Sequence, residues 1–500
     1  MVRSSRGLAV RLALGAVMGG LTLCVVSASA AGAVRKVPQK YPTIQAAVDA
    51  ANPGDVIEIS KKRNFEHVNV STARLVIKGA KKGVIVDGNV EGLGVNHQFT
   101  VNANRVTIAN LELRHGSGIN CSGDRCTVRR VRSSGQLYAS CVSASGDGVR
   151  VLNSRFSGCA SVGIAVFGPN ARVEGNRVQR AGNHCIAIDG SDGAILDNKV
   201  GNCGGVGVGI GGGTGALIRG NTVSRSYSDL LFADSPGARI INNKGSITLA
   251  ACVRAWIDGG RVRGNRLSDC QEGASLQGAA PKVINNTIRA SKGAGVQVHC
   301  TAECDGALVE GNVVRGTAGP DSHGFVLSAP PGTGGMLVRD NLAVDASGLA
   351  FILDIGGARV TGNTARSSGI PYVSAFLVQG DDNVVRRNRS IGNAGTGLQV
   401  EGSDNLIESN VLRKNHGDGI NVNPGVTGNT LIRNEATGNK ADGIENSGDD
   451  TVLRRNRASG NKRDCANDGT IAAKQKNRCA DKSNFNLPGT VERGRQRSRD

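Results

Sequence analysis

The sequence predicts an all-β solenoid, a coil of three short parallel strands per turn in which each turn stacks on the last. Three observations point there. Asparagine returns at Asn153, Asn176, Asn198, Asn221, Asn243, Asn265, Asn286, Asn312, Asn341, Asn363, Asn388, Asn410, Asn434 and Asn456, most intervals being 21 to 24 residues. The copies sit mostly in the frame apolar-x-Gly/Asn-Asn-x-apolar, as in Val173-Glu174-Gly175-Asn176-Arg177-Val178, and the short Val/Ile runs between them, broken by Gly, Asn and Asp, read as strands and turns without helix. Glycine supplies 72 of 500 residues and aromatics only 3%, which suits a narrow tube filled by small aliphatics and not a large globular core. Low apolar content would also describe a disordered chain, but the phased Val and Ile positions argue against it.

Stacking accounts for the asparagine. Adjacent parallel strands lie about 4.8 Å apart, so an Asn at one turn position can donate its amide to one neighbouring coil and accept from the other, as in amide ladders. Asn also tolerates the left-handed backbone of a sharp turn. Unphased loop asparagines would not hold register in this way.

In chain order, Arg3, Arg6 and Arg11 precede an apolar run from Leu12 to Val26 and the small residues Ala28-Ser29-Ala30 and Ala31-Gly32-Ala33. This pattern is an export signal over 1–33, too short and Gly-rich for a membrane span, and Cys24 is discarded with it. No later segment could cross a membrane, so the mature chain is expected outside the cytoplasm: secreted, periplasmic or at the cell surface.

Next comes Tyr41-Pro42-Thr43-Ile44-Gln45-Ala46-Ala47-Val48-Asp49-Ala50-Ala51-Asn52-Pro53-Gly54-Asp55. With this segment in front and the Asn-phased coils behind, residues 37 to 488 resemble the right-handed parallel β-helix proteins of the pectin-lyase-like superfamily. The resemblance implies a β-helix over 34–460, with an N-terminal capping helix near 43–51. Twelve cysteines remain after signal removal. Cys141 and Cys159, Cys185 and Cys203, and Cys252 and Cys270 are each 18 apart, while Cys121/Cys126, Cys300/Cys304 and Cys465/Cys479 are close neighbours. That set suggests six local disulfides in an oxidising compartment; buried free thiols are the alternative, and zinc finds no paired CxxC motif.

The spacing lengthens to 26 residues between Asn286 and Asn312 and to 29 between Asn312 and Asn341. Extra residues must leave the stack as loops on one side, often the binding side, although drift at an exposed turn would look the same. After Asn461 the pattern stops, and 461–488 reads as a cap pinned by Cys465 and Cys479. A disordered tail, 489–500, follows.

Counting back from each ladder Asn exposes a second column. Residues ten and twelve before it are mostly apolar (Val166 and Ile164, Ile188 and Ile186, Leu353 and Phe351) and point inward. Residues nine before it face outward: Phe167, Asp189, Gly212, Asp234, Trp256, Gln277, Asp354, Gln379 and Glu401. Asp189 and Asp234 stand two coils apart, about 9.6 Å by the strand spacing, near the upper limit of the carboxyl separation for inverting glycoside hydrolysis. Trp256, the sole Trp, could stack on a sugar ring. Arg254, on the same face, could clamp a carboxylate, with His184 and Asp258 at the strand ends and His299 in a lengthened coil. These assign Asp189, Asp234, Asp258 and Arg254 as candidate catalytic groups and Trp256, Phe167, His184, His299 and Glu401 as candidate substrate contacts. In the alternative reading the acids begin turns and the Trp caps a sheet edge.

The resemblance does not carry an activity over. Asp381-Asp382 and Asp449-Asp450 lack the other polygalacturonase signatures, and Ala255-Trp256-Ile257-Asp258 matches the Trp-Ile-Asp-His segment of pectate lyases only until Gly259. A lyase would call for Ca²⁺ held by carboxylates and for a basic residue; otherwise no cofactor is expected and the metal is unknown. The seven His are scattered and Met is rare, which weighs against a copper-maturation role. The net charge of +19, or +16 without the signal arginines, favours anionic partners such as acidic polysaccharide or a cell-envelope polymer. Nucleic acid is not expected from an exported chain with one Trp and four Tyr. The expectation is therefore a monomeric exported β-helix that binds acidic polysaccharide along the Asp/Trp stripe, with cleavage by a lyase or inverting-hydrolase mechanism if it is an enzyme. The alternative is a non-catalytic carbohydrate-binding or envelope-structural solenoid.

Overall fold

The computed structural model describes residues 32–90, 96–136, 139–302, 304–319 and 322–480. All but the last two residues of the expected export segment lie outside that set, as does the expected tail. The described chain forms a right-handed parallel β-solenoid of about 20 turns. Each turn contributes one strand to each of three sheets. In one representative turn, Ile164–Phe167 lies in sheet 1, Arg172–Glu174 in sheet 2 and Arg177–Ala181 in sheet 3. Every strand pairs in parallel with its counterpart one turn on, so Ile164 stands over Ile186, Arg172 over Ala194 and Arg177 over Lys199.

Period-two alternation fills the tube. Ile164, Val166, Ile186 and Ile188 are buried, as are Phe351, Leu353, Phe376, Val378, Leu398 and Val400, matching the inward positions expected from the sequence. Phe325, Phe351 and Phe376 occupy one inward position in three consecutive turns and stack in parallel, with centroids 4.7 and 4.6 Å apart. That distance is the strand spacing itself, so the turn-to-turn rise places flat rings in contact.

The asparagine ladder forms at the corner between sheets 2 and 3. Asn243 donates its backbone N–H (2.9 Å) and Nδ2 (3.0 Å) to Oδ1 of Asn265, which does the same to Asn286 at 2.9 Å each, while Asn265 Nδ2 also reaches the carbonyl of Ile240 at 3.0 Å. Two details differ from expectation. The ladder residue in the first such turn is Ser154, which donates to Asn176 Oδ1; Asn153 is exposed beside it. The left-handed backbone also belongs to the residue before the ladder, as at Asn153, Asp197, Asn242 and Asn285, because the corner bends there while the ladder side chain must point inward.

Two further ladders escaped sequence reading. Asn383, Asn405 and Asn429 line the corner between sheets 1 and 2. Asn393, Asn415, Asn439 and Asn461 line the corner between sheets 3 and 1. In the N-terminal half that last corner holds disulfides: Cys141–Cys159, Cys185–Cys203 and Cys252–Cys270 each tie the start of a turn to its end. Cys121–Cys126, Cys300–Cys304 and Cys465–Cys479 complete the six expected pairs. A loop of 18 residues closed by Cys185–Cys203 is worth about 3 kcal/mol in the chain-entropy account. Converting both to alanine is expected to speed hydrogen exchange in Ile186–Asp189 and Lys199–Cys203 while distant turns keep their protection.

The sequence expects a capping helix over 43–51; the structure has one short helix, Ile44–Asp49. Thr43 Oγ1 accepts from the Ala46 N–H, and the free N–H groups of Ile44 and Gln45 donate to the Glu66 carboxylate at 3.0 Å each. Ile44, Ala47 and Val48 are buried against the apolar interior. At the other end, the segment expected as a cap makes a further turn, with Arg463–Asn467 in sheet 1, Ile471–Gln475 in sheet 2 and Arg478–Cys479 in sheet 3. Asn477 extends the first ladder. Among the described residues no helix is long and apolar enough to cross a membrane.

Candidate functional site

The outward stripe lies on sheet 1. Strand register aligns Phe167, Asp189, Gly211, Asp234, Trp256, Gln277, His299, Ser328 and Asp354 in single file. Gly211, not Gly212, occupies the file. Gly212 turns away with φ +68°, and a Cβ there would meet Asp189 Oδ1, so the glycine makes room for that carboxylate. His299 joins the file because strand pairing continues through the lengthened turns, where counting from the ladder cannot follow. Gln379 and Glu401 prolong it, joined by a 3.2 Å hydrogen bond. Glu401 is also bonded to Gln399 and Asn423, so its carboxylate is already engaged.

Trp256 is 40% exposed and Phe167 55% exposed. The indole is fixed from two sides: Phe232, one turn back, meets it edge to face at 5.4 Å, and its Nε1 donates to Gln277 Oε1 at 3.0 Å. Asp234, Pro236, Trp256, Asp258, Gln277 and Thr301 surround an open depression of about 220 Å³. The two long loops rise beside it and are bonded to each other: the Cys304 N–H donates to the Thr333 carbonyl at 2.8 Å, and the Gly335 N–H to Asp305 Oδ1 at 3.2 Å. The second loop walls a further depression of about 420 Å³ with Asp354, Gln379, Asp381 and Asp382. The extra sequence length thus stands along the stripe.

Two candidates are committed elsewhere, and a third is partly so. Arg254, expected as a uronate clamp, is held by Asp229 through Nε at 3.2 Å and lies 3.6 Å from Glu272. Its charge is neutralised within the protein. His184 Nδ1 accepts the Val206 N–H at 2.8 Å, and burial lowers the pKa of the ring. It is a half-buried turn residue one position before the buried Cys185, and its ring braces the next turn. Asp258 Oδ1 accepts the Ala279 N–H at 2.8 Å, and the residue lines the depression.

A family model described as right handed beta helix region matches residues 91–252, 168–314 and 331–462, more than half of the chain. The chain belongs to that family. Comparison with curated proteins gives no match. Among solved structures, the β-helix is similar to the PL6 family alginate lyase AlyGC, at 9% identity and TM-score 0.32 over 92% of this chain and 98% of that one. It is similar to the Dettilon tailspike protein (gp208), at 12% identity and TM-score 0.37 over 67% and 68%. It is also similar to the DFA-IIIase from Arthrobacter chlorophenolicus A6, at 14% identity and TM-score 0.27 over 61% and 89%. These likenesses concern the fold.

Toward its C-terminal end, sheet 1 of the β-helix carries a cluster that sequence reading missed. One carboxylate oxygen from each of Asp418, Asp442 and Glu445 lies within 4.8 Å of the others. Spacing from the ladder could not reveal it, because Asp418 sits in a corner and Glu445 on a strand. Asn421 Nδ2 donates to Glu445 at 2.9 Å and to Asp418 at 3.3 Å, and Arg463 binds Asp442 through Nε at 2.8 Å. Burial first, then Asp418 and Asp442, hold the Glu445 carboxyl above its ordinary pKa, against a pull from Arg463. A raised folded pKa stabilises the fold fully below the ordinary glutamate value, and that contribution is lost as pH rises through the folded one. Glu445→Gln, which cannot ionise, is therefore expected to raise the melting temperature near pH 7 and leave it unchanged near pH 4. Thermal melts at the two pH values check this.

Proposed function

We propose that this β-helix is an exported protein that binds polysaccharide along sheet 1, between Phe167 and Asp354, without cleaving it. The observation that carries the reading is Trp256: an exposed ring, immobilised by Phe232 and Gln277, at the edge of a depression that also carries the carboxylates of Asp234 and Asp258 and the hydroxyl of Thr301. A sugar presents an apolar face for stacking and hydroxyl donors around its edge, which is the complement of that arrangement. Six disulfides support an oxidising compartment. The short helix Ile44–Asp49, with its apolar face turned to the interior, would close the front of the tube.

Turnover is the weaker reading. An inverting pair works in a cleft that flanks the scissile bond and excludes bulk water; Asp189 and Asp234 both stand exposed on an open face. A lyase would need a free basic group on the stripe: Arg254 is ion-paired, and the other basic side chain there, His299, has its Nδ1 bonded to Ser328 Oγ at 2.9 Å. The charge of the stripe also favours a hydroxyl-rich neutral glycan there. An acidic polymer would meet Asp189, Asp234 and Asp354 across an open face and would need a bridging cation such as Ca²⁺. Affinity measurements with neutral and uronate polymers, with and without Ca²⁺, test this, with product analysis alongside. Binding of a neutral glycan without product is expected. Release of unsaturated or reducing ends that stops in Asp234→Ala would replace the binding reading with an enzymatic one.

A further inference from the structure

Positive charge is not spread evenly over the solenoid. On sheet 3, register places Arg132, Arg155, Arg177 and Lys199 one above another in consecutive turns, and after Thr222 the file resumes with Lys244 and Arg266. Six strand spacings make this file about 29 Å long. All six cations are exposed, and none has an ion-pair partner among the described residues. The nearby Glu174 is taken by Arg172 on sheet 2, and Asp197 also acts on that arginine. Like charges directly opposite each other on neighbouring strands are destabilising, and the later turns of the same file break the pattern with Thr287, Val313 and Leu342. Beside the cations, two residues further along each strand, runs a file of small hydroxyl side chains: Ser134, Ser157, Ser224, Ser246 and Ser268, with Gln179 and Gly201 between. At its front end the cation file opens into a depression of about 500 Å³ lined by Lys81, Lys82, Arg130, Arg132 and Arg155. Its one acid, Glu112, is paired with Arg114.

We infer that this face of sheet 3, from Arg132 to Arg266, is a second binding surface, for a linear carboxylate-bearing polysaccharide. Cations repeat every ~4.8 Å, about the length of one sugar ring in an extended chain, so successive uronates meet successive turns. The serine file offers hydroxyls to the ring edges and, being small, lets the chain lie close to the strands. Nucleic acid fits less well: a duplex strand presents a phosphate every ~3.4 Å, and single strands are held by base stacking, whereas neither outward file carries an aromatic ring between 132 and 268. The surface is separate from the stripe on sheet 1, so each can fail without the other.

The test compares the full chain with the variant Arg155→Gln/Arg177→Gln/Lys199→Gln, using polygalacturonate, inorganic polyphosphate and a single-stranded oligonucleotide as probes. A control variant, Arg386→Gln/Arg387→Gln/Arg454→Gln, removes equal charge elsewhere. Polygalacturonate affinity is expected to fall at least tenfold in the first variant, with the salt dependence losing about two units of slope, and to change less than threefold in the control. Trp256→Ala is expected to leave this binding unchanged. Equal losses in both variants would reduce the effect to net charge and overturn the assignment. Tighter binding of polyphosphate or oligonucleotide than of polygalacturonate at matched charge would overturn it as well. Matching thermal melts for all variants exclude misfolding as the cause.

Discussion

Replacing Asn265 with leucine is expected to cost about 4 kcal/mol of stability. The side chain is fully buried and holds five hydrogen bonds together with its backbone N–H. Leucine has similar bulk, so little cavity forms. What it leaves without partners are the backbone N–H and one amide N–H of Asn243, each worth about 1 to 3 kcal/mol, while the carbonyl of Ile240, which also lies in the ladder of sheet 2, loses one donor. The loss should be local, because a solenoid turn touches only its neighbours. Hydrogen exchange should therefore show Arg261–Arg263 and Arg266–Ser268 opening first, with urea denaturation giving the magnitude. Asn153→Gly is the control. That residue lies in the left-handed region at φ 49° and is exposed, so glycine should change stability by no more than about 0.5 kcal/mol. A comparable loss in both variants would mean that asparagine marks the corners only as a turn former.

Trp256→Ala is expected to weaken glycan binding about thirtyfold, or about 2 kcal/mol, as for a central aromatic anchor. Trp256→Phe should recover part of it, since a ring remains while the bond to Gln277 is lost. Fold stability should be nearly untouched, because the indole stands outside the tube and replaces no core contact. Calorimetry with the neutral polymer bound by the parent chain measures the first effect and thermal melting the second. Unchanged affinity in Trp256→Ala would remove the stripe as the sugar surface.

The corner bend between sheets 2 and 3 shows how far the linear order of residues carries. Both the left-handed position and the ladder position accept Asn, so composition alone could not say that Asn153 belongs to the first and Ser154 to the second. Only the hydrogen bond from Ser154 to Asn176 separates them. The same limit put Gly212 in the stripe in place of Gly211, and it left His299 and Ser328 unaligned where the turns lengthen. Disulfides were easier to read, because partners 18 or fewer residues apart share a turn.

By itself, the sequence determined the parallel coil, its phase, the inward aliphatic columns and the six cysteine pairs. All of these follow from local spacing, and a periodic chain repeats its local geometry at every turn. Only the tertiary structure decided which polar side chains are free. Arg254 and His184 look available in the linear order, yet Asp229 and the Val206 N–H hold them, while the cations of sheet 3, scattered through the chain, align into one file. Hydrogen-bond partners and like-charge neighbours come from the adjacent turns, about twenty residues away, and the strand register selects which ones meet.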